Sequence, residues 1–267
     1  MTRVWTAAVL VPLVLAAVIW APPDLFTVLI VLVALLALHE YFGLARASGL
    51  TPFRWLGGIG AAAAVVLLAL PIPPSEWVAL LAVLVVALAV RALTEPEAMP
   101  RAMANAGVTL LGIVYLGVFT GLLCSIRNQN DGVVWLIFML VVVWAGDTAA
   151  LYAGRSWGRH RMAPRVSPQK TWEGAGASFV MAVLLGAGFG AWTNVGFSAL
   201  PVIELAALGG GINVAAQVGD LFESLLKRGA QVKDSGHWLA GHGGVLDRID
   251  AMLFAAPLVW YYVAYLH

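Results

Sequence analysis

The sequence predicts an all-α, polytopic integral membrane protein, and three observations carry that expectation. Hydrophobic residues make up 61% of the 267 and charged residues only 11%, with a mean hydropathy of +0.90, a balance far from that of soluble domains. Apolar runs of about 17–21 residues, long enough to cross a hydrocarbon core as a helix, recur about nine times. The basic residues fall almost entirely into alternate connections between those runs, as the positive-inside rule requires. No polar linker, low-complexity tract or internal repeat interrupts the pattern, so residues 1–267 are expected to form a single membrane unit.

In order, the expected spans lie near 4–21, 25–42, 56–72, 77–93, 105–124, 133–153, 174–193, 201–219 and 251–266. The first follows Arg3 and ends in Ala21-Pro22-Pro23-Asp24 without a small-x-small cleavage site, which reads as an uncleaved anchor. The second ends at His39-Glu40-Tyr41, where His39 is expected at the interface. Pro22-Pro23 and Pro73-Pro74 close short outer connections. With the N-terminus in the cytoplasm, Arg127 is the only one of the 15 Lys and Arg left outside. An odd span count then puts the C-terminus outside. Cys124, the single cysteine, excludes an intramolecular disulfide and reads as a buried, inert thiol.

Residues 1–104 supply the N-terminal helices, and 105–267 the helices that carry two long polar loops, 154–173 and 219–250. Both loops are expected on the cytoplasmic face of an inner membrane. This one-sidedness argues against a transporter or flippase, which needs a polar path to the other side. Asp147 lies about five residues inside the sixth span, where a carboxylate is costly and functional by default. Glu204 opens the eighth span and reads as interfacial. That span also holds Gly209-Gly210-Gly211, Asn213 and Gln217, too polar a set to face lipid, so it should pack closely or line a cavity. If its helix continues past Asp220, then Asp220, Glu223, Ser224 and Lys227 share one face.

The run from Ser224 to Asp250 concentrates Lys227, Arg228, Lys233 and Arg248 with Asp234, Asp247 and Asp250. Such charge at a membrane boundary is expensive unless it binds something charged. Asp220, Asp234, Asp247 and Asp250 supply the hard oxygens that a cation such as Mg²⁺ takes together with substrate phosphates. No HExxH or CxxC points to zinc, and no GxxxxGK[ST] points to a P-loop. Gly241, Gly243 and Gly244 would let backbone N–H groups approach phosphate oxygens. His242 could donate to a phosphate or leaving group, or orient the loop; His237 and His160 read as structural or solvated. In the other loop, the basic residues around Ser167, Lys170, Thr171 and Glu173 could be topogenic or attract anionic lipid. Ser167-Pro168-x-Lys170-Thr171 reads as a phosphate-binding turn.

The pattern Ser224-x-x-Lys227-Arg228-x4-Lys233-Asp234 … His242-Gly243-Gly244-x-x-Asp247-Arg248-x-Asp250 closely resembles the signature of phosphatidate cytidylyltransferases, the CDP-diacylglycerol synthases. Gly219-Asp220-Leu-Phe-Glu223-Ser224, Ser167-Pro168-x-Lys170-Thr171-x-Glu173-Gly174 and Gly146-Asp147-Thr148 are also similar to that family. One departure is Ala240, where the family usually carries Pro, Gly or Ser. The resemblance implies an integral nucleotidyltransferase of phospholipid biosynthesis that moves CMP from CTP to phosphatidate, with Mg²⁺ and room for a second cation. On it, Asp220 and Asp247 are the leading metal ligands, with Asp234 and Asp250 beside them. Lys227, Arg228, Lys233 and Arg248 hold phosphates, aided by Ser224, Ser167 and Lys170. CTP, phosphatidate and membrane lipid are the partners, a homodimer is allowed, and nucleic acid has no part. The alternative is a CTP-dependent lipid kinase, or a cytidylyltransferase for another lipid phosphate.

Overall fold

The computed structural model describes residues 2–72, 74–94, 96–191, 200–236 and 243–266. In chain order the helices are α1 (Thr2–Trp20), α2 (Pro23–Ala47), α3 (Arg54–Ala69), α4 (Pro74–Leu93), α5 (Ala102–Gly112), α6 (Phe119–Arg127), α7 (Gly132–Trp157), α8 (Trp172–Ala191), α9 (Val202–Gly229) and α10 (Leu246–Tyr265). A π-helical segment, Ile113–Val118, joins α5 to α6. A hairpin of β1 (Arg161–Ala163) and β2 (Ser167–Thr171) precedes α8. The class is therefore all-α and polytopic, with one small hairpin.

Among the described residues, six helical segments are long and apolar enough to cross a membrane: Pro23–Ala47, Glu76–Leu93, Met99–Arg127, Gly132–Trp157, Trp172–Ala191 and Val202–Gly229. Helices also cover the other three expected stretches, on different terms. α3 has 16 residues, a rise of about 24 Å against a hydrocarbon core of about 30 Å. α10 opens on the charges of Asp247, Arg248 and Asp250.

The chain packs into two compact units. The first comprises Met1–Ser125 and Leu226–Arg248. In it α2 starts at Pro23, whose fixed φ suits the first helical position. It stops in a left-handed glycine, Gly49 (φ +80°). The N–H of Leu50 reaches back to the Ala45 carbonyl and that of Gly49 to the Arg46 carbonyl, which satisfies the helix's last acceptors. The connection to α3 then hangs on α5. The Thr51 N–H donates to Asn105 Oδ1 at 2.9 Å and the Phe53 N–H to Thr109 Oγ1 at 2.9 Å. Asn105 and Thr109 are buried, one turn apart, so two backbone donors that apolar surroundings would strand find acceptors.

The second unit comprises Ile126–Leu225 and Ile249–His267. Here α7 packs along α8, and α9 crosses both at small residues. Asn213 of α9 donates to Ser178 Oγ of α8 at 2.6 Å. Gly146 of α7 leaves room for that bond, since a Cβ there would stand 2.5 Å from Asn213 Nδ2 and 2.9 Å from Ser178 Oγ. Gln217 donates to Asn213 Oδ1 at 2.6 Å. The polar, glycine-rich stretch of α9 thus packs closely, one of its two expected fates. Glu204, at the start of α9, accepts the Tyr262 hydroxyl at 2.8 Å.

Candidate active site

Candidate residues gather in both units. In the first, the C-terminal turn of α9 presents Lys227 and ends at Gly229, and the chain reverses through Gln231 in the left-handed region (φ 58°). The Val232 N–H returns to the Lys227 carbonyl and the Gln231 N–H to that of Arg228. Lys227 Nζ donates to Asp247 Oδ1 at 2.6 Å, with side chains 14% and 8% exposed. The other oxygen, Asp247 Oδ2, accepts the Ser235 N–H at 3.0 Å, the Ser235 hydroxyl at 2.9 Å and the Gly244 N–H at 2.7 Å. Asp247 is the second residue of α10, so it also lies where backbone donors and the helix dipole favour negative charge.

Two glycines make this geometry accessible. Gly243 has φ +75°, which disfavours any side chain, and a Cβ there would stand 2.6 Å from Asp247 Oδ2. At Gly244 a Cβ would stand 2.6 Å from the carboxyl carbon of Glu40. Glu40 of α2 is the residue that sequence reasoning missed. It is buried, and its carboxylate accepts the Val245 N–H at 2.9 Å, the Leu246 N–H at 2.8 Å and the Ser235 hydroxyl at 3.0 Å. A signal existed. Glu40 is a carboxylate within an apolar span, the same class of feature that singled out Asp147.

Lys233, Asp234, Arg228 and Arg248 of this unit are exposed. Gly241 and His242, candidates for the same loop, lie outside the described residues, as does His237.

In the second unit Lys170 of β2 pairs with Asp220 of α9, Nζ to Oδ2 at 2.5 Å, with side chains 24% and 37% exposed. Asp147 of α7 lies within electrostatic reach of both. Two carboxylates and an ammonium from three elements therefore face one region. Helix α9 is unbroken from Val202 to Gly229, so Asp220, Glu223, Ser224 and Lys227 take the common face expected of them. Glu223 is fully buried; Ser224 and Asp250 are half-buried.

The 154–173 loop differs from its expected form. Ser167–Thr171 is a strand, not a turn, paired antiparallel with Arg161–Ala163. The tight turn sits between the strands, where the Val166 N–H meets the Ala163 carbonyl. Within β2, Lys170 is half-buried and Thr171 buried. Thr171 Oγ1 accepts the Gly174 N–H at 3.1 Å, capping the N-terminus of α8. Glu173 closes the hairpin: His160 Nδ1 lies 2.7 Å from its Oε1, and the His160 N–H points at the same carboxylate. In this arrangement Thr171 and Glu173 build the scaffold that presents Lys170.

Among the described residues, no group of three or more His, Cys, Asp and Glu side chains gathers to hold a metal ion. The donors present suit a hard ion that relies on one or two carboxylates and completes its shell with substrate phosphates and water. Asp220, more than a third exposed, has an oxygen to offer such an ion.

Comparison with known proteins gives one family. The model of the Cytidylyltransferase family matches residues 1–266. The phosphatidate cytidylyltransferase of Bacillus subtilis (strain 168) is 37% identical over 159 residues, 59% of this chain and 58% of that protein. That of Staphylococcus epidermidis is 31% identical over 238 residues, 85% of each chain. That of Brucella suis biovar 1 is 38% identical over 162 residues, 57% of this chain and 56% of that protein.

Proposed function

We infer the activity from a plain premise, that the chain belongs to the cytidylyltransferase family. It is a multi-pass membrane enzyme that transfers CMP from CTP to phosphatidate, giving CDP-diacylglycerol and pyrophosphate for phospholipid synthesis. The observation that carries this reading is the Asp247 arrangement, in which residues of the sequence signature (Lys227, Gly243, Gly244 and Asp247) meet in one hydrogen-bonded group.

The chemistry asks for alignment and charge neutralisation more than for a strong base. A phosphatidate phosphate oxygen, already anionic, attacks the α-phosphorus of CTP. The new P–O bond forms as the bond to pyrophosphate breaks, and the pyrophosphate carries the charge away. Two anions must be brought together in line, which fixed cations accomplish at low reorganisation cost. Lys170 and Lys227 are held by Asp220 and Asp247 and so are pre-aimed. Arg228, Lys233 and Arg248 are exposed and would hold the nucleotide's phosphates, aided by Ser167 and Ser224. Bound Mg²⁺ supplies Lewis-acid stabilisation of the phosphate oxygens, with Asp220 and Asp247 as its proposed ligands and Asp234 and Asp250 beside them. Asp247, which accepts the Lys227 ammonium, would help hold the ion, and Lys227 would hold a phosphate.

The finer topology is part of the proposal: nine spans, the N-terminus inside, the C-terminus outside, and the active site facing the cytoplasm from the inner membrane. Positive-inside charge supports it. The test of function is to incubate purified protein with CTP and phosphatidate, with and without Mg²⁺, and identify both products. CDP-diacylglycerol and pyrophosphate are expected, only with Mg²⁺. Release of CDP with a newly phosphorylated lipid would instead establish the lipid kinase.

A further inference from the structure

We propose that Glu40 is a positioning residue for the transfer reaction, fastening the Gly243–Asp247 segment to α2 and so fixing the aim of Asp247 and Lys227. This rests on the cytidylyltransferase reading of that segment.

Four observations lead to it. Glu40 is 3% exposed, and a buried carboxylate is tolerated only where donors match it. Its donors are the N–H groups of Val245 and Leu246, at 2.9 and 2.8 Å, at the very start of α10. Glu40 thus acts as an N-cap supplied by a distant helix, taking backbone donors that the first turn cannot satisfy internally.

The contact is also close-fitted on both sides. A Cβ at Gly236 would stand 2.7 Å from the Glu40 carboxyl carbon, and one at Gly244 would stand 2.6 Å from it. Finally, Ser235 connects Glu40 to the reaction machinery. Its hydroxyl lies 3.0 Å from Glu40 Oε2 and 2.9 Å from Asp247 Oδ2. A hydroxyl has one hydrogen to donate, so the two carboxylates share it, and a shift of either is felt by the other. Glu40 touches neither substrate in this scheme. It acts through Asp247.

The test uses the full-length enzyme in lipid–detergent micelles with Glu40→Gln, Ser235→Ala and the double variant. CDP-diacylglycerol formation is measured against CTP and phosphatidate, and amide exchange is followed over residues 243–248. Glu40→Gln keeps the shape but turns an acceptor into a donor facing N–H groups. Its kcat is expected to fall about 10- to 100-fold, because small misplacements of reacting groups cost that much, with KM for both substrates within about threefold. Ser235→Ala falls less, and the double variant is within about twofold of Glu40→Gln alone, as expected of residues acting through one network. Exchange at Val245 and Leu246 quickens by about tenfold or more while α7 is unchanged.

A kcat within about twofold of wild type, a rise in KM alone, or unchanged exchange at 245–246 would each overturn the proposal. If Glu40→Gln does not accumulate folded, Ser235→Ala decides: a kcat loss of about threefold or more at constant KM supports the proposal, and no loss overturns it. A wild type that makes no CDP-diacylglycerol would sink the proposed activity instead, and the exchange measurement would then decide whether Glu40 fastens the segment.

Discussion

Replacing Lys227 by Met or Asp247 by Asn breaks the ion pair between the last turn of α9 and the first turn of α10, and the pair of substitutions together is more informative than either. The side chains are 14% and 8% exposed, so solvent screens the pair little. Removing one partner of such a pair strands the other charge, at a cost of about 3–5 kcal/mol, whereas removing both is often close to neutral. Asp247→Asn carries a second penalty. Whichever way the amide turns, its NH₂ faces either the Lys227 ammonium or the N–H groups of Ser235 and Gly244. The assay is thermal unfolding in a fixed detergent–lipid mixture, followed by tryptophan fluorescence, with CDP-diacylglycerol synthesis measured in parallel. Each single variant should lose about 3 kcal/mol, a drop of about 6–12 °C in Tm for a chain of this size. The double variant should lose at least about 2 kcal/mol less than the sum of the two. Activity should fall tens-fold or more in all three, since a ligand or phosphate contact is lost. Strict additivity of the stability losses, or Asp247→Asn activity within about threefold of wild type, would refute the reasoning.

Other outcomes can be stated more briefly. Lys170→Met should cut activity by about tenfold or more yet cost under about 1 kcal/mol of stability, because its partner Asp220 is 37% exposed; a large Tm loss with activity intact would reverse that assignment. Gly146→Ala should destabilise by about 1–3 kcal/mol, because the new methyl meets Asn213 Nδ2 and Ser178 Oγ, and an unchanged Tm would contradict the close packing of α7, α8 and α9. For topology, Cys124 is buried and gives a quiet background for single cysteines placed at Arg165 and Asn128. In intact cells a membrane-impermeant thiol reagent should label only the second, and labelling of the first would invert the proposed orientation.

The chemistry-bearing residues were legible in the sequence to different depths. Lys227 and Asp247 stood out by type and spacing, but their direct contact did not, because 20 positions separate them along the chain and no helical or strand period relates residues that far apart. Glu40 was passed over because it sits far along the chain from its partners and looks like the polar end of an apolar span. Thr171 read as part of a phosphate-binding turn and Glu173 as a neighbouring substrate-binding candidate; their capping bond to Gly174 and contact with His160 were not foreseen. A five-residue polar stretch containing Pro168 carries no clear strand signal, so the pairing of β2 with β1 was out of reach. Asn213 and Gln217 were different: polar residues in a Gly-rich span leave close packing or a cavity, and Ser178 supplied the partner that settles it.

What the sequence by itself determined is the membrane class, the helical periodicity that aligns Asp220, Glu223, Ser224 and Lys227, and the family signature. Those properties are local or compositional: hydrophobic run length, helix repeat and fixed residue spacings survive without knowing any long-range contact. Only the tertiary structure decided which lysine each aspartate holds, Lys170 for Asp220 and Lys227 for Asp247, and that α2 fastens the start of α10 through Glu40. A buried charge must find donors wherever the fold brings them, and nothing in its own neighbourhood along the chain records which ones those will be.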